Sequence, residues 1–385
     1  MKITVERSDI LELLGHACRI IERKNTIPVS CHVLLQANDG LLEIKASGPE
    51  IEITGAIPAS VDVCGSITVS AHLLYDIVRK LQDGAQISFF KENELGTEVN
   101  ISHGDSNFYL QSFPESEFPS TKEEEYVYSF ELASSVLKNL VERTHFAMAT
   151  EEIRYYLNGI FFHINEEDLK LCAVATDGHR LAVAEVDIVA QIAKMPSIIV
   201  PRKAVGEILR ILSSKDSSVK VSLSESRIHL NIESLSMSVR LIDGEFPNYQ
   251  NVIPCSNDKE LRVNCTNLRQ AVDRVSIMSS VRIQAVKLSL SSDKLCMTVD
   301  NPDMGKAIES MNVYYNECPM DICFNYKYLL EIIDNISSDE VVDDEVVFRL
   351  DSSNSSVFIR GKDTDSKNNK DNKVNAFYVL MPMRI

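Results

Sequence analysis

One order of elements can be read three times along this 385-residue chain, and that repeat constrains the fold more than any single motif. Each pass opens on a short alternating strand, at residues 2–5, 127–130 and 260–263, which runs into a stretch with apolar residues at helical spacing. Those stretches, 8–21, 131–146 and 266–278, begin on polar residues, as helix starts do. Next come two apolar strands around a polar turn, which predict hairpins: 33–36 and 41–44 around Asn38-Asp39-Gly40, 159–162 with Glu166-Glu167-Asp168, and 286–290 with Ser291-Ser292-Asp293. A second helix then follows a strand, over 67–81, 198–212 and 322–336. Pro201 suits the first turn of its helix, where its missing N–H would be unpaired anyway.

The repeat predicts an α+β fold of three tandem domains, each with two helices packed on antiparallel sheets. A period of about 125 residues is too long for a solenoid. Solvated stretches at Thr121-Lys122-Glu123-Glu124-Glu125 and Cys255-Ser256-Asn257-Asp258-Lys259 place the domains at 1–124, 125–256 and 257–385. Such units leave sheet edges open, and edge-to-edge pairing hides them and propagates the array. If the rotation per unit closes, the product is a ring.

A net charge of −17 excludes a protein that grips nucleic acid with its whole surface, because phosphate affinity needs concentrated Lys and Arg. The cations instead gather on or beside the helix-like segments: Arg19, Arg23, Lys24, Arg79, Lys80, Lys138, Arg143, Arg202, Lys203, Arg210, Lys215, Arg269, Arg274 and Lys327. One reading is solvated helix faces with cations complementing the dipole at carboxyl ends. The other is local DNA contact, to which Arg154-Tyr155-Tyr156 adds an Arg beside aromatic rings, suited to phosphates and sugars. The sequence leaves both open. The nine cysteines lack Cys-x-x-Cys spacing and read as reduced packing residues, so neither a metal nor a cofactor is expected. With no run of roughly 18 apolar residues and no signal core, the expected location is the cytoplasm.

Five blocks carry a resemblance: Arg154-Tyr155-Tyr156-Leu157-Asn158-Gly159, Ala175-Thr176-Asp177-Gly178-His179-Arg180-Leu181-Ala182, Val200-Pro201-Arg202-Lys203, Asp243-Gly244-Glu245-Phe246-Pro247-Asn248-Tyr249 and Met381-Pro382-Met383-Arg384-Ile385. In these blocks, and in order along its length, the sequence resembles the bacterial DNA polymerase III β subunits, the sliding clamps. The resemblance implies a head-to-tail homodimer whose ring encircles double-stranded DNA without reading its sequence. That ring tethers the polymerase and has no catalytic activity of its own. Implied partners are the polymerase III alpha subunit, the clamp-loader delta subunit, other clamp-binding polymerases and mismatch-repair proteins.

Implied DNA contacts are Lys24, Arg79, Arg154, Tyr155, Tyr156, Arg202 and Lys203. The implied partner-peptide pocket comprises Leu157, Thr176, Gly178, His179, Arg180, Leu181, Pro247, Val252, Asn325, Tyr328, Ser356, Val379, Leu380, Met381, Pro382, Met383 and Arg384. Its Met and aliphatic walls would adapt to several apolar anchors. Implied dimer contacts are Phe108 and Leu110 with Ile277 and Met278. Three positions depart from the family pattern: Glu151 replaces an uncharged amide, Asn251 an Arg, and Ile283 an aromatic. The polar segment 363–373 is longer than the usual loop and is expected to be mobile.

Thr176-Asp177-Gly178-His179-Arg180 also invites an enzymatic reading on a nucleotide or phosphorylated ligand, with Asp177, His179 and Arg180 in acid/base roles. Against it stands a tight Asp-Gly turn between strands, unaccompanied by a phosphate loop or metal-ligand spacing.

Overall fold

The computed structural model describes all residues except 93–96, 120–123, 189–191, 193, 213–216, 281–283, 338–341, 364–372 and 385. The chain forms two compact units, Met1–Ser134 with Ser214–Leu241, and Ser135–Ser213 with Ile242–Ile385.

In the first unit, helices α1 (Arg7–Ile20) and α2 (Ala71–Lys80) accompany two antiparallel sheets. The smaller runs Ser60–Val63, Lys2–Glu6, Gln86–Phe90, Glu98–His103, Ser106–Gln111 across its five strands. The larger has eight: Tyr128–Ala133, Ser218–Leu223, Arg227–Ile232, Leu235–Arg240, Ile51–Pro58, Leu41–Ser47, His32–Asn38 and Gly65–Ser70. Its middle joins remote parts of the chain, with Met237 opposite Ile53 and both side chains buried. Alternation explains the faces, since Ile51, Ile53, Gly55 and Ile57 are buried while Glu52, Thr54 and Ala56 between them are less so. α1 buries Ile10, Leu14, Ala17 and Ile20, one stripe of a 3.6-residue period, against these strands.

The second unit holds α3 (Ser134–Glu142, from its second residue), α4 (Arg202–Ile211), α5 (Cys265–Ser276) and α6 (Tyr326–Ser337). Its eight-stranded sheet runs Ile198–Pro201, Gly159–Asn165, Lys170–Thr176, Arg180–Asp187, Asn375–Leu380, Val357–Asp363, Val342–Leu350, Lys259–Asn264. A four-stranded sheet runs Gly305–Asn312, Lys294–Asn301, Ala285–Ser291, Met320–Asn325. The pairing of Arg180–Asp187 with Asn375–Leu380, Leu181 opposite Val379, sets the C-terminal strand beside the Asp177-Gly178-His179 turn.

All three predicted hairpins form. The first turns through Asp39 and Gly40 at φ 48° and 79°, the positive pair that a type I′ turn requires. Two expectations shift. The helix expected over 131–146 begins at Ser134, because Glu131, Leu132 and Ala133 pair with Lys220, Val219 and Ser218 in the sheet. It stops at Glu142, and Thr144 Oγ1 donates to the Leu140 carbonyl at 2.8 Å just beyond its end. Pro201 lies one residue before α4, as the last residue of an edge strand, where the sheet loses no hydrogen bond to the proline ring.

Among the described residues, no helix is long and apolar enough to cross a membrane, and no group of three His, Cys, Asp or Glu could hold a metal ion. Leu14 is fully buried. Leu14→Ala should therefore lower stability by roughly 2–5 kcal/mol, read as a lower urea midpoint with native spectra retained.

Candidate functional site

The turn between Lys170–Thr176 and Arg180–Asp187 is held from within. Asp177 Oδ1 accepts the backbone N–H groups of His179 (2.9 Å) and Arg180 (3.1 Å), and its Oδ2 accepts from Arg180 Nε at 3.1 Å. Thr176 Oγ1 accepts from Gly178 N at 3.1 Å and donates to the Arg180 carbonyl at 2.6 Å. Gly178 sits at φ 88°, a conformation that side chains disfavour. The Asp177 carboxylate thus serves the turn and Arg180, while the His179 ring lies against Tyr328 with centroids 6.3 Å apart. An Asp-His acid/base pair is not assembled.

Arg180 organises what surrounds the turn. Its side chain is 7% exposed, so its charge needs partners where it stands. Besides Asp177, it pairs through Nη1 with Glu331 on α6 and donates from Nη2 to the Phe146 carbonyl at 2.6 Å. Its guanidinium carbon lies 4.3 Å from the Tyr328 ring centroid and 5.0 Å from that of Phe146, within cation–π range.

The C-terminal segment completes one wall. Met381 N donates to the His179 carbonyl at 3.0 Å and Met383 N to the Cys323 carbonyl at 2.8 Å. Met381 and Met383 stay substantially exposed, and Leu380 is buried opposite Val357, next to Ser356. Beneath lies a buried cluster that includes Leu157, Leu181, Val379, Cys172, Val174 and Phe246, with Tyr156 and Tyr249 packed against it. Phe161 and Phe246 stack 4.7 Å apart, 3° from parallel. Burial pushes the Cys172 thiol up to about 12, raises the Tyr249 phenol above its ordinary value, and lowers the pKa of His163, whose Nε2 is 2.9 Å from the Tyr249 hydroxyl.

The structure therefore brings Leu157, Leu181 and Val379 together as a floor, and Thr176, Gly178, His179, Arg180, Tyr328, Leu380 and Met381 around the turn. Pro382 is half-buried between the two methionines, while Arg384, Pro247, Val252 and Asn251 are exposed. Asn325 Oδ1 accepts from Lys327 N at the start of α6, and its Nδ2 donates to Gln284 Oε1 at 3.1 Å. Ser356 offers its carbonyl to Asn257 Nδ2. Ile283, Ile385 and residues 364–372 lie outside the described residues. Sequence reasoning missed Phe146, Glu331 and His163. Only Glu331 carried a signal, one helical turn beyond Tyr328.

In the second unit, Arg154 donates to Glu151 from Nε and Nη2, and Tyr155 Oη donates to the Asp243 carbonyl at 3.1 Å. Tyr155 is 52% exposed, whereas Tyr156 turns toward the buried cluster. Arg202 and Lys203 open α4 on its exposed face, and Arg202 reaches the Met148 and Ala149 carbonyls. In the first unit, Lys24 is exposed and Arg79 pairs with Asp76 at 3.2 Å. Phe108 and Leu110 are half-buried on the edge strand Ser106–Gln111. Ile277 is 71% exposed at the end of α5, followed by a half-buried Met278.

Three descriptions of one family match in sequence order: the N-terminal domain of the DNA polymerase III beta subunit at residues 1–122, its central domain at 131–248 and its C-terminal domain at 250–384. The beta sliding clamp of Caulobacter vibrioides is 36% identical, with each chain covered in full. The sliding clamp of Bartonella birtlesii, solved bound to griselimycin, is 41% identical with a TM-score of 0.91, again over the whole of both chains. That of Pseudomonas aeruginosa, also bound to griselimycin, is 32% identical with a TM-score of 0.89 over the same full coverage.

The chain belongs to the DNA polymerase III beta subunit family.

It is accordingly a sliding-clamp protein of DNA replication and not itself a catalyst.

Two outcomes follow from this geometry. Arg180→Met should destabilise the chain by roughly 2–4 kcal/mol in urea unfolding, since it leaves Asp177 and Glu331 without their shared cation. Burial lowers the pKa of His163, and likewise of His32 and His229, so the folded state resists their protonation. Their contribution is fully present above the ordinary imidazole value of about 6.5 and declines as pH falls through and below it. The urea midpoint should drop between about pH 7.5 and about pH 5.5, and His163→Gln should flatten that slope.

Proposed function

We propose that this chain forms a head-to-tail homodimeric ring that encircles duplex DNA and tethers the replicative polymerase. Its three domains would span 1–124, 125–256 and 257–385. The observation that carries the reading is a convergence: the Asp177-Gly178-His179 turn meets the Met381-Pro382-Met383 segment and Tyr328 next to the buried cluster of Leu157, Leu181 and Val379, where a cleft for peptides would lie. Exposed methionines beside a buried aliphatic floor suit short peptides with apolar anchors, and the polar turn supplies direction.

Partners for this cleft are the polymerase alpha subunit, the clamp-loader delta subunit, other clamp-binding polymerases and mismatch-repair proteins. Griselimycin, held by the Bartonella birtlesii and Pseudomonas aeruginosa clamps, would occupy the same place here. Lys24, Arg79, Arg154, Tyr155, Arg202 and Lys203, exposed or partly exposed, would contact phosphates weakly and without base reading, as sliding demands. Tyr156, turned toward the buried cluster, would support that loop from beneath. Phe108, Leu110, Ile277 and Met278 would lie at the dimer edges, where apolar residues left half-buried or exposed need a partner. The site of action would be the cytoplasm.

Sedimentation should give twice the chain mass, and the protein should stay on closed circular DNA and leave after linearisation; monomers, or equal retention on both forms, would refute the ring. Deleting residues 381–385 should abolish polymerase stimulation while the dimer persists, and unchanged stimulation would remove the cleft assignment.

A further inference from the structure

Arg154 belongs at once to an exposed loop and to the cleft. Its Nε and Nη2 donate to Glu151 Oε2 at 3.1 and 2.9 Å, and Nη2 also donates to the Asp177 carbonyl at 3.1 Å. A Cβ built on Gly178 would stand 2.6 Å from Arg154 Nη1, so the guanidinium rests directly on the turn. Contact continues inward: the Asp177 carboxylate holds Arg180, Arg180 lies against the Tyr328 ring, and Tyr328 lies against His179. Its neighbours along the chain, Ile153, 90% exposed, and Tyr155, both face solvent. The Arg154 side chain itself is one-third exposed, so solvent reaches the guanidinium.

We propose that Glu151 and Arg154 form an electrostatic latch that makes Arg154 a positioning residue of the cleft, so that phosphate contact by Arg154 opposes peptide binding. The inference rests on the sliding-clamp reading above. A guanidinium presents its donors in one planar fork, and carboxylate and phosphate compete for it. When a phosphate takes the fork, the Asp177 carbonyl loses its donor and the left-handed turn at Gly178 loses its brace. His179 and Arg180, which that turn presents to Tyr328, are then less firmly placed. By linkage, whatever DNA takes from the peptide affinity, bound peptide takes from the DNA affinity. Glu151 sets the balance, because a carboxylate holds the fork against phosphate more firmly than a neutral amide would.

The test is calorimetric titration of the full chain with griselimycin at low salt, with and without saturating short DNA duplex, whose binding is followed by anisotropy. Wild type should bind griselimycin about fivefold more weakly with duplex present, the gap closing at high salt. Glu151→Gln should widen the gap, and Arg154→Ala should erase it while leaving some griselimycin binding. Equal wild-type affinity under both conditions, or a gap that persists in Arg154→Ala, overturns the latch but leaves the clamp reading standing. No griselimycin binding by wild type under either condition overturns the cleft assignment and the latch together.

Discussion

A guanidinium buried to the depth of Arg180 survives only if its charge and its donors are met where it stands. Meeting them recruits three separate segments: the Asp177 carboxylate from the preceding turn, Glu331 and the Tyr328 ring from α6, and the Phe146 carbonyl from beyond α3. The strand beginning at Arg180 also carries the C-terminal strand as its neighbour, so the same residue fixes where Met381 and His179 meet. The groups around the turn are thus held by one cation at the start of a strand. This also explains why the turn looks catalytic and is not. Asp177 and Arg180 are charged and close because each satisfies the other, and the His179 ring is left to an aromatic neighbour.

Much of this was legible in the sequence because it depends on local pattern. Helix positions followed the apolar period, as at Ile10, Leu14, Ala17 and Ile20, and the hairpins followed their turn residues, Asp39-Gly40 most plainly. Where pairing with a remote strand decides, local pattern misleads. Glu131, Leu132 and Ala133 have helical spacing, but the strand Ser218–Leu223 claims them for the sheet. Family resemblance named Arg180 and Tyr328 without saying what holds them. Phe146 comes from a sequence position with no local tie to the turn, and helical spacing ties Glu331 to Tyr328 alone, so spacing does not lead from the turn to either.

Glu151, expected from the sequence to depart from the family pattern, gains meaning only from coordinates. As a sequence letter, Glu151 subtracts a donor from a cationic loop. In place, it receives both prongs offered by Arg154 and so bears on a turn it does not touch. The difference lies in the geometry of the guanidinium, which carries a constraint from one loop to the next through rigid planar bonds.

The middle of the eight-stranded sheet in the first unit has a temporal side. Ile51–Pro58 is paired on one flank by its sequence neighbour Leu41–Ser47, but its other flank waits for Leu235–Arg240. On a ribosome, most of the second repeat must be made before that flank is covered. Until then an apolar strand presents bare N–H and C=O groups to every other nascent chain nearby. The register that gives the finished molecule its continuity therefore also defines the interval in which it is most exposed to mispairing, and ties the speed of translation to the yield of native protein.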